Sequence, residues 1–149
     1  FEVINRTAGQ HRLEALLTHP NLFYWGDLDR EGLRIAAALR QKLPALRLSA
    51  LYLPMLRMAA DPEASHPYSV ATGKASQLPW QPMGDELLDA LAPHCSERAV
   101  DQEAVDLSDA LPLAARALVA AEITMTMDRF TDRDPLAAIG PGCRPVGRR

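Results

Sequence analysis

The apolar positions in the first third of the chain change periodicity twice. Residues 22–25 form a short run of strand-favouring side chains, and residues 30–42 then carry apolar residues at helical spacing. Pro44 ends this predicted helix, and residues 46–53 form a second apolar run. A strand, helix and strand of this length normally give two parallel strands in one sheet. We therefore expect an α/β fold, with a sheet of parallel strands flanked by helices.

The rest of the chain is predicted to be helical apart from one long loop. Helical spacing or an Ala/Leu-rich composition predicts further helices over residues 10–17, 84–91, 96–105 and 111–126. Residues 61–82 are rich in proline and poor in long aliphatic side chains, which indicates a long Pro-rich loop. A loop of that length within a compact domain is usually functional or mobile.

Length and composition predict one domain and a tail. The chain has 149 residues, of which 48% are hydrophobic, and this excludes wholesale disorder. We expect the domain to cover residues 1–138 and a flexible tail, rich in Gly, Pro and Arg, to cover residues 139–149. Because the first residue is Phe1 rather than Met, we interpret the chain as a fragment that lacks the first strand of its domain.

Charge and cysteine content narrow the function classes. The formal net charge of −3 is not typical of a nucleic-acid-binding protein, although basic residues are concentrated near the acidic segment that follows the first strand. Cys95 and Cys143 are far apart and lack metal-ligand spacing, so we expect no disulfide framework. No run of 18 apolar residues is present, and we expect a cytoplasmic protein without membrane contact.

An acidic turn is the strongest candidate for chemistry. Asp27 and Asp29 follow the first predicted strand, and residues two apart in extended geometry point to the same side. Such a carboxylate pair favours a hard cation, Mg²⁺ or Mn²⁺. The helix that begins after Asp29 would direct its positive end at the same point, where a phosphate could bind. The alternative is a structural turn, in which Asp29 caps the helix and Glu31 complements its dipole.

The fuller pattern resembles a known family. The segment 24–35 contains Trp-Gly-Asp-Leu-Asp-Arg-Glu-Gly, and residues 100–103 are Val-Asp-Gln-Glu. In this order the two motifs resemble those of the Toprim domain in the C-terminal part of the Wadjet JetD family. The resemblance implies a Toprim-like fold, similar to the A subunit of topoisomerase VI. It also implies the nuclease of a plasmid-defence system that works with a condensin-like SMC complex.

The resemblance assigns roles to three residues. Asp27 and Asp29 would be the catalytic metal ligands for Mg²⁺ or Mn²⁺, and Glu103 would be an additional acidic ligand near the site. The implied activity is endonucleolytic cleavage of double-stranded plasmid DNA, and we expect a homodimer because a double-strand cut needs two copies. A further glutamate of Toprim sites, on an earlier strand, has no match here, and we expect it upstream of this chain.

Two other functions stay open at this point. The domain could be a non-catalytic docking module for an SMC-type complex or for DNA, or it could be a phosphohydrolase or phosphotransferase of small molecules. The second needs a lysine and a Ser or Thr in recognisable order with an aspartate, and the sequence shows no such set. We interpret Lys74 as a loop lysine that at most contacts a DNA backbone, Asp101 as structural and His66 as a surface residue.

Overall fold

The computed structural model describes residues 17–131, without the side chains of 107, 109 and 127–131. Its strands and helices follow in the order β1 (Phe23–Tyr24), α1 (Arg30–Lys42), β2 (Arg47–Leu48), α2 (Tyr52–Ala59), β3 (His66–Pro67), α3 (Glu86–Leu91), β4 (Arg98–Ala99), α4 (Leu107–Leu113) and α5 (Ala120–Thr131), with 3-10 helices at Ala92–Cys95 and Gln102–Ala104. The predicted helix over 10–17 and the predicted tail over 139–149 lie outside the described range, apart from residue 17.

Strands β1 and β2 form the parallel pair that the sequence predicts. Phe23 lies opposite Arg47 and Tyr24 opposite Leu48, with α1 as the crossover between the strands. The second sheet differs from the expectation, because β3 and β4 pair antiparallel, with His66 opposite Ala99. The described part of the chain is therefore α/β, with one parallel and one antiparallel pair rather than a single parallel sheet.

Helix α1 has the predicted bounds, and local chemistry explains them. The Asp29 carboxylate accepts a hydrogen bond from the Gly32 backbone N–H at 2.6 Å and so caps the first turn. Leu33, Ala36 and Ala37 lie on the buried face. The helix ends at Lys42, with Leu43 as its C-cap immediately before Pro44.

The predicted second strand is too long. Strand β2 ends at Leu48, and the following apolar residues form helix α2, which was not predicted. Continuous apolar runs do not distinguish a buried strand from a buried helix. Pro54 is tolerated because it lies in the first turn of α2, where its missing N–H has no helical partner to lose.

The chain after residue 82 corrects two further predictions. A helix over 96–105 is wrong, because this segment forms β4 and a 3-10 helix, and Val100 forms an antiparallel bridge with Leu28. The predicted helix over 111–126 is divided into α4 and α5, since Ala117 forms a bridge with Ser49 between them. In both places pairing with a distant segment overrides helical composition. The helix predicted over 84–91 is confirmed as α3.

The core lies between α1, α2, α3 and α5. Its largest fully buried side chains include Tyr52, Leu33 and Met55, and Leu28 joins them from the acidic turn. The loop over 61–82 is irregular apart from β3, as predicted. Within the described range, no helix is both long and apolar enough to cross a lipid bilayer. The core thus anchors the end of β1, where the acidic turn begins.

Candidate functional site

The acidic turn is fixed by the residue between its two aspartates. Leu28 is fully buried, and its backbone exchanges hydrogen bonds with Val100, at 2.9 Å for the Leu28 N–H and 3.1 Å for the Val100 N–H. Because alternate residues of extended chain point to opposite sides, Asp27 and Asp29 lie on the side away from Leu28. The turn therefore presents both carboxylates together, as their spacing predicts.

Three carboxylates meet at the ammonium group of Lys74. The Nζ atom lies 3.0 Å from Asp27 Oδ2, 2.5 Å from Asp29 Oδ2 and 3.0 Å from Asp101 Oδ1. The lysine side chain is only 11% exposed, and that of Asp29 only 3%. The cluster thus consists of three acidic groups around one resident cation.

The carboxylates of the cluster also have partners other than Lys74. The Gln77 side-chain amide donates to Asp29 Oδ2 at 2.9 Å, and the backbone N–H of Gln102 donates to Asp27 Oδ1 at 3.0 Å. His66 Nε2 lies 3.1 Å from Asp101 Oδ2. These contacts hold each carboxylate in a defined orientation. They also connect the acidic turn, which belongs to the first motif, to the second motif and to the Pro-rich loop.

The electrostatics of the site keep Asp29, Asp101 and Lys74 charged. Burial raises the pKa of Asp29, but hydrogen bonds from Lys74, Gln77 and Gly32 outweigh it, and the pKa falls below its ordinary value. For Asp101, burial is likewise outweighed by Lys74 and His66, and its pKa is lowered. Burial lowers the pKa of Lys74, but its three aspartate partners raise it by more than that. The net pKa of the lysine is therefore above its ordinary value. At neutral pH Lys74 therefore forms ion pairs with both of these aspartates.

Arg30, which follows the acidic turn, holds the Pro-rich loop over the site. Its guanidinium lies 4.0 Å from the ring centroid of Tyr68 and donates to the Gln77 carbonyl oxygen at 3.0 Å. The side-chain oxygen of Gln77 in turn accepts from the Glu31 backbone N–H at 3.1 Å. The segment 68–77 is thereby bound to the start of α1, which places Lys74 against the aspartates.

An open cleft of about 550 Å³ lies beside the carboxylates. Asp27, Asp29 and Lys74 line it together with Thr72 from the Pro-rich loop and Glu103 from the second motif. Glu103 is exposed, whereas Lys74 forms its ion pairs with Asp27, Asp29 and Asp101. The structure thus brings all three sequence-predicted site residues to one cleft, but only the two aspartates of the turn contact the resident cation.

The donor set is suited to a hard cation. Carboxylate oxygens are the ligands that Mg²⁺, Mn²⁺ and Ca²⁺ prefer. No group of three or more His, Cys, Asp or Glu side chains between residues 17 and 131 is arranged to hold a metal ion. In the described arrangement the ammonium of Lys74 takes the point at which Asp27, Asp29 and Asp101 meet. The donors fit a divalent ion chemically, and such an ion would compete with the Lys74 ammonium for them.

Sequence reasoning missed two members of the cluster, Lys74 and Asp101, and the contact of His66 with it. The sequence pattern predicts a loop lysine, a structural aspartate and a surface histidine at these positions, yet the three side chains form a continuous chain of contacts to Asp27. Lys74 and Asp27 are separated by 47 positions, so no local pattern connects them. For Asp101, a signal was available, because it belongs to the short second motif that contains Glu103. The structure thus places a lysine beside the two aspartates of the turn, which the sequence pattern does not predict.

Comparison with protein families places the chain in a known family. The family model described as "Wadjet protein JetD, C-terminal" matches residues 5–111 of this chain. Comparison with the curated proteins and with the solved structures found no match. The matched segment contains the acidic turn, the Pro-rich loop and the second motif, and so it includes every member of the cluster.

Proposed function

The chain belongs to the family of the Wadjet protein JetD, C-terminal part, and from this premise we propose that it is the metal-dependent DNA endonuclease domain of a Wadjet-type plasmid-defence system. Family membership indicates the role in Wadjet defence. The cleavage activity is supported by one observation above all. At the carboxyl end of β1, Asp27 and Asp29 direct carboxylate oxygens at one cation, the ammonium group of Lys74, at 3.0 and 2.5 Å.

Asp27 and Asp29 would hold the Mg²⁺ or Mn²⁺ ion, and Glu103, in the same cleft, would be the additional acidic group. A bound divalent ion supplies Lewis-acid activation of a phosphodiester. The residues of the chain orient the two carboxylates and the phosphate. The Gly32 N–H fixes Asp29, the Gln102 N–H fixes Asp27, and the positive end of α1 lies at the same point, where it attracts a phosphate.

The order strand, acidic turn, helix and parallel strand supports a Toprim-like architecture for the domain. In an open parallel sheet, ligands bind beyond the carboxyl ends of the strands, and the aspartates lie there in the described structure. We extend the proposal to the partners that this function requires. These are double-stranded plasmid DNA in the cytoplasm, a condensin-like SMC complex, and a second copy of the protein for the second strand.

Calorimetric titration of Mn²⁺ and Mg²⁺ tests the metal site without a choice of substrate. We expect the wild-type chain to bind, and an Asp27→Asn/Asp29→Asn variant with an unchanged far-UV spectrum not to bind. Glu103→Gln should weaken binding less, because Glu103 is exposed at the side of the cleft. Glu86→Gln removes an exposed charge on α3 and serves as the control. Equal binding by wild type and the double variant would refute the assignment.

The cleavage activity is tested separately from metal binding. Supercoiled plasmid should be cut with Mn²⁺ or Mg²⁺, should stay intact with a chelator, and should stay intact with the Asp27→Asn/Asp29→Asn variant. The Glu86→Gln control should cut at the wild-type rate. Cutting by the double variant would show that the acidic turn is not the catalytic centre.

One observation favours the docking module as a second candidate. Lys74 already compensates the two aspartates within the fold, as expected of an acidic turn that is only structural. On that alternative, the Asp27→Asn/Asp29→Asn variant would keep plasmid defence in cells and its binding to the SMC complex or DNA. Loss of defence with retained binding would instead support the nuclease.

A further inference from the structure

Lys74 occupies the position in which the proposed function requires a metal ion. We infer that Lys74 is a built-in competitor that sets the cation affinity and selectivity of the site, closing the acidic cluster without metal and leaving it when a divalent ion binds. This inference rests on the proposed function. It assigns Lys74 a role toward the ion, although Lys74 is not itself a ligand.

The charges of the cluster favour replacement by a divalent ion. Oxygen atoms of Asp27, Asp29 and Asp101 lie within 3.0 Å of one ammonium, so three negative groups share one positive charge. A divalent ion at this point would double the compensating charge. A monovalent ion would replace the ammonium without any gain in charge. The lysine therefore discriminates against Na⁺ and K⁺ and admits Mg²⁺ or Mn²⁺.

The loop can release the side chain while its backbone stays in place. The backbone N–H groups of Lys74 and Ala75 both donate to the Ser69 carbonyl oxygen at 3.1 Å, and Arg30 holds Gln77 at the far end. None of these bonds involves the lysine ammonium. The side chain lines the open cleft, so rotation of its flexible four-carbon stem is sufficient to vacate the cluster.

Removal of the ammonium should have opposite effects on metal binding and on metal-free stability. A divalent ion would no longer have to displace a charge-assisted contact, and its affinity should rise on the order of tenfold. Without metal, however, the Asp27 and Asp29 carboxylates would lose their cation and repel each other. A structural role for Lys74 predicts only the second effect, and the pair of measurements therefore separates the two roles.

The experiment compares wild type with Lys74→Met, which keeps an unbranched apolar stem. Lys42→Met is the matched control, because Lys42 is the only other lysine in the sequence and lies exposed at the end of α1. Mn²⁺ is titrated calorimetrically at low and at high KCl, and melting temperatures are measured in EDTA and in excess Mn²⁺. Lys74→Gln is measured in parallel, so that the test can still be made if Lys74→Met does not fold.

We expect the Lys74 variants to bind Mn²⁺ more tightly than wild type and to have a lower melting temperature in EDTA. Their melting temperature should rise more on addition of Mn²⁺, and KCl should compete with Mn²⁺ binding more strongly than in wild type. Lys42→Met should match wild type in all four. Equal or weaker Mn²⁺ binding by the Lys74 variants, with binding by wild type intact, would overturn the inference and leave the proposed function standing. Absence of Mn²⁺ binding in wild type and the Lys74 variants alike would refute the metal site, and the inference with it.

Discussion

A Cβ atom on Gly32 would lie 2.2 Å from the carbonyl oxygen of Asp27. The first turn of α1 therefore packs directly on the backbone of the acidic turn, with no room for a side chain. The same glycine donates its N–H to Asp29 at 2.6 Å. Close approach at this one residue is what allows the cap of the helix and the carboxylate cluster to share a single aspartate.

Gly32→Ala should destabilise the protein and displace the acidic turn. The added methyl group meets backbone rather than a flexible side chain, so the turn must shift, at a cost of about 1–3 kcal/mol. Urea denaturation gives the change in the free energy of unfolding, and Mn²⁺ titration reports on the carboxylates. Gln41→Ala, at an exposed position of the same helix, is the control and should change neither quantity. Wild-type stability in Gly32→Ala would contradict the close packing.

Two substitutions at Asp29 separate its capping role from its charge. Asn at this position keeps an oxygen acceptor for the Gly32 N–H but removes the charge that pairs with Lys74. Ala removes both, and loss of the cap should cost about 0.5–2 kcal/mol beyond the cost of Asp29→Asn. Urea denaturation of both variants gives this difference. Equal free energies of unfolding would mean that the cap contributes nothing.

The pH dependence of stability follows from the lowered pKa values of Asp29 and Asp101. Both lie below the ordinary carboxyl value of 3.8, so the folded state binds fewer protons than the unfolded state in this range. Their contribution is fully present above that value and is lost as the pH falls through the lowered folded pKa.

Melting temperatures measured from about pH 6 down to about pH 2 should therefore fall steeply below pH 4. The fall should be shallower in Asp29→Asn, which has no proton to take up at this position. Glu86→Gln, which changes an exposed acidic residue, should follow the wild-type curve. An unchanged slope in Asp29→Asn would show that Asp29 is not the group responsible.

Cys95 should be inert to alkylating reagents in the folded protein. Its side chain is 1% exposed, and burial, with a smaller contribution from the charge of Asp29, raises the pKa of the thiol to about 12. The thiolate is the reacting form, and at pH 8 it is scarcely populated in the fold. Iodoacetamide labelling followed by peptide mass spectrometry should show modification of Cys95 only after denaturant is added. Rapid labelling in buffer would contradict the burial.

The features that the sequence predicts well are those that neighbouring residues determine. The bounds of α1 follow from the Asp29 cap, its apolar stripe and Pro44, all within 16 positions. The convergence of Asp27 and Asp29 follows from the two-residue repeat of extended chain. The parallel pairing of β1 and β2 follows from the length of the crossover.

The features that could not be predicted depend on distant segments. Helix α2 is part of a continuous apolar run in which Arg57 is the first charged residue, and six of its eight residues are buried, so the run resembles a buried strand. Strand β4 exists because β3 pairs with it. Lys74 enters the cluster only because Arg30 and Gln77 bring the Pro-rich loop to the start of α1. In each case tertiary contact, rather than local preference, decides the outcome.

The contacts of Arg30 also bear on when the site forms. Its guanidinium donates to the Ser96 carbonyl oxygen as well as to that of Gln77, and these partners lie 66 and 47 positions away in sequence. Closing such long loops is entropically costly and slow compared with the formation of helix α1. The acidic motif and its helix can thus form early, while Lys74 and Asp101 arrive last. A nascent chain that ends before residue 74 carries the aspartates without their resident cation, so the complete cluster is a late product of folding.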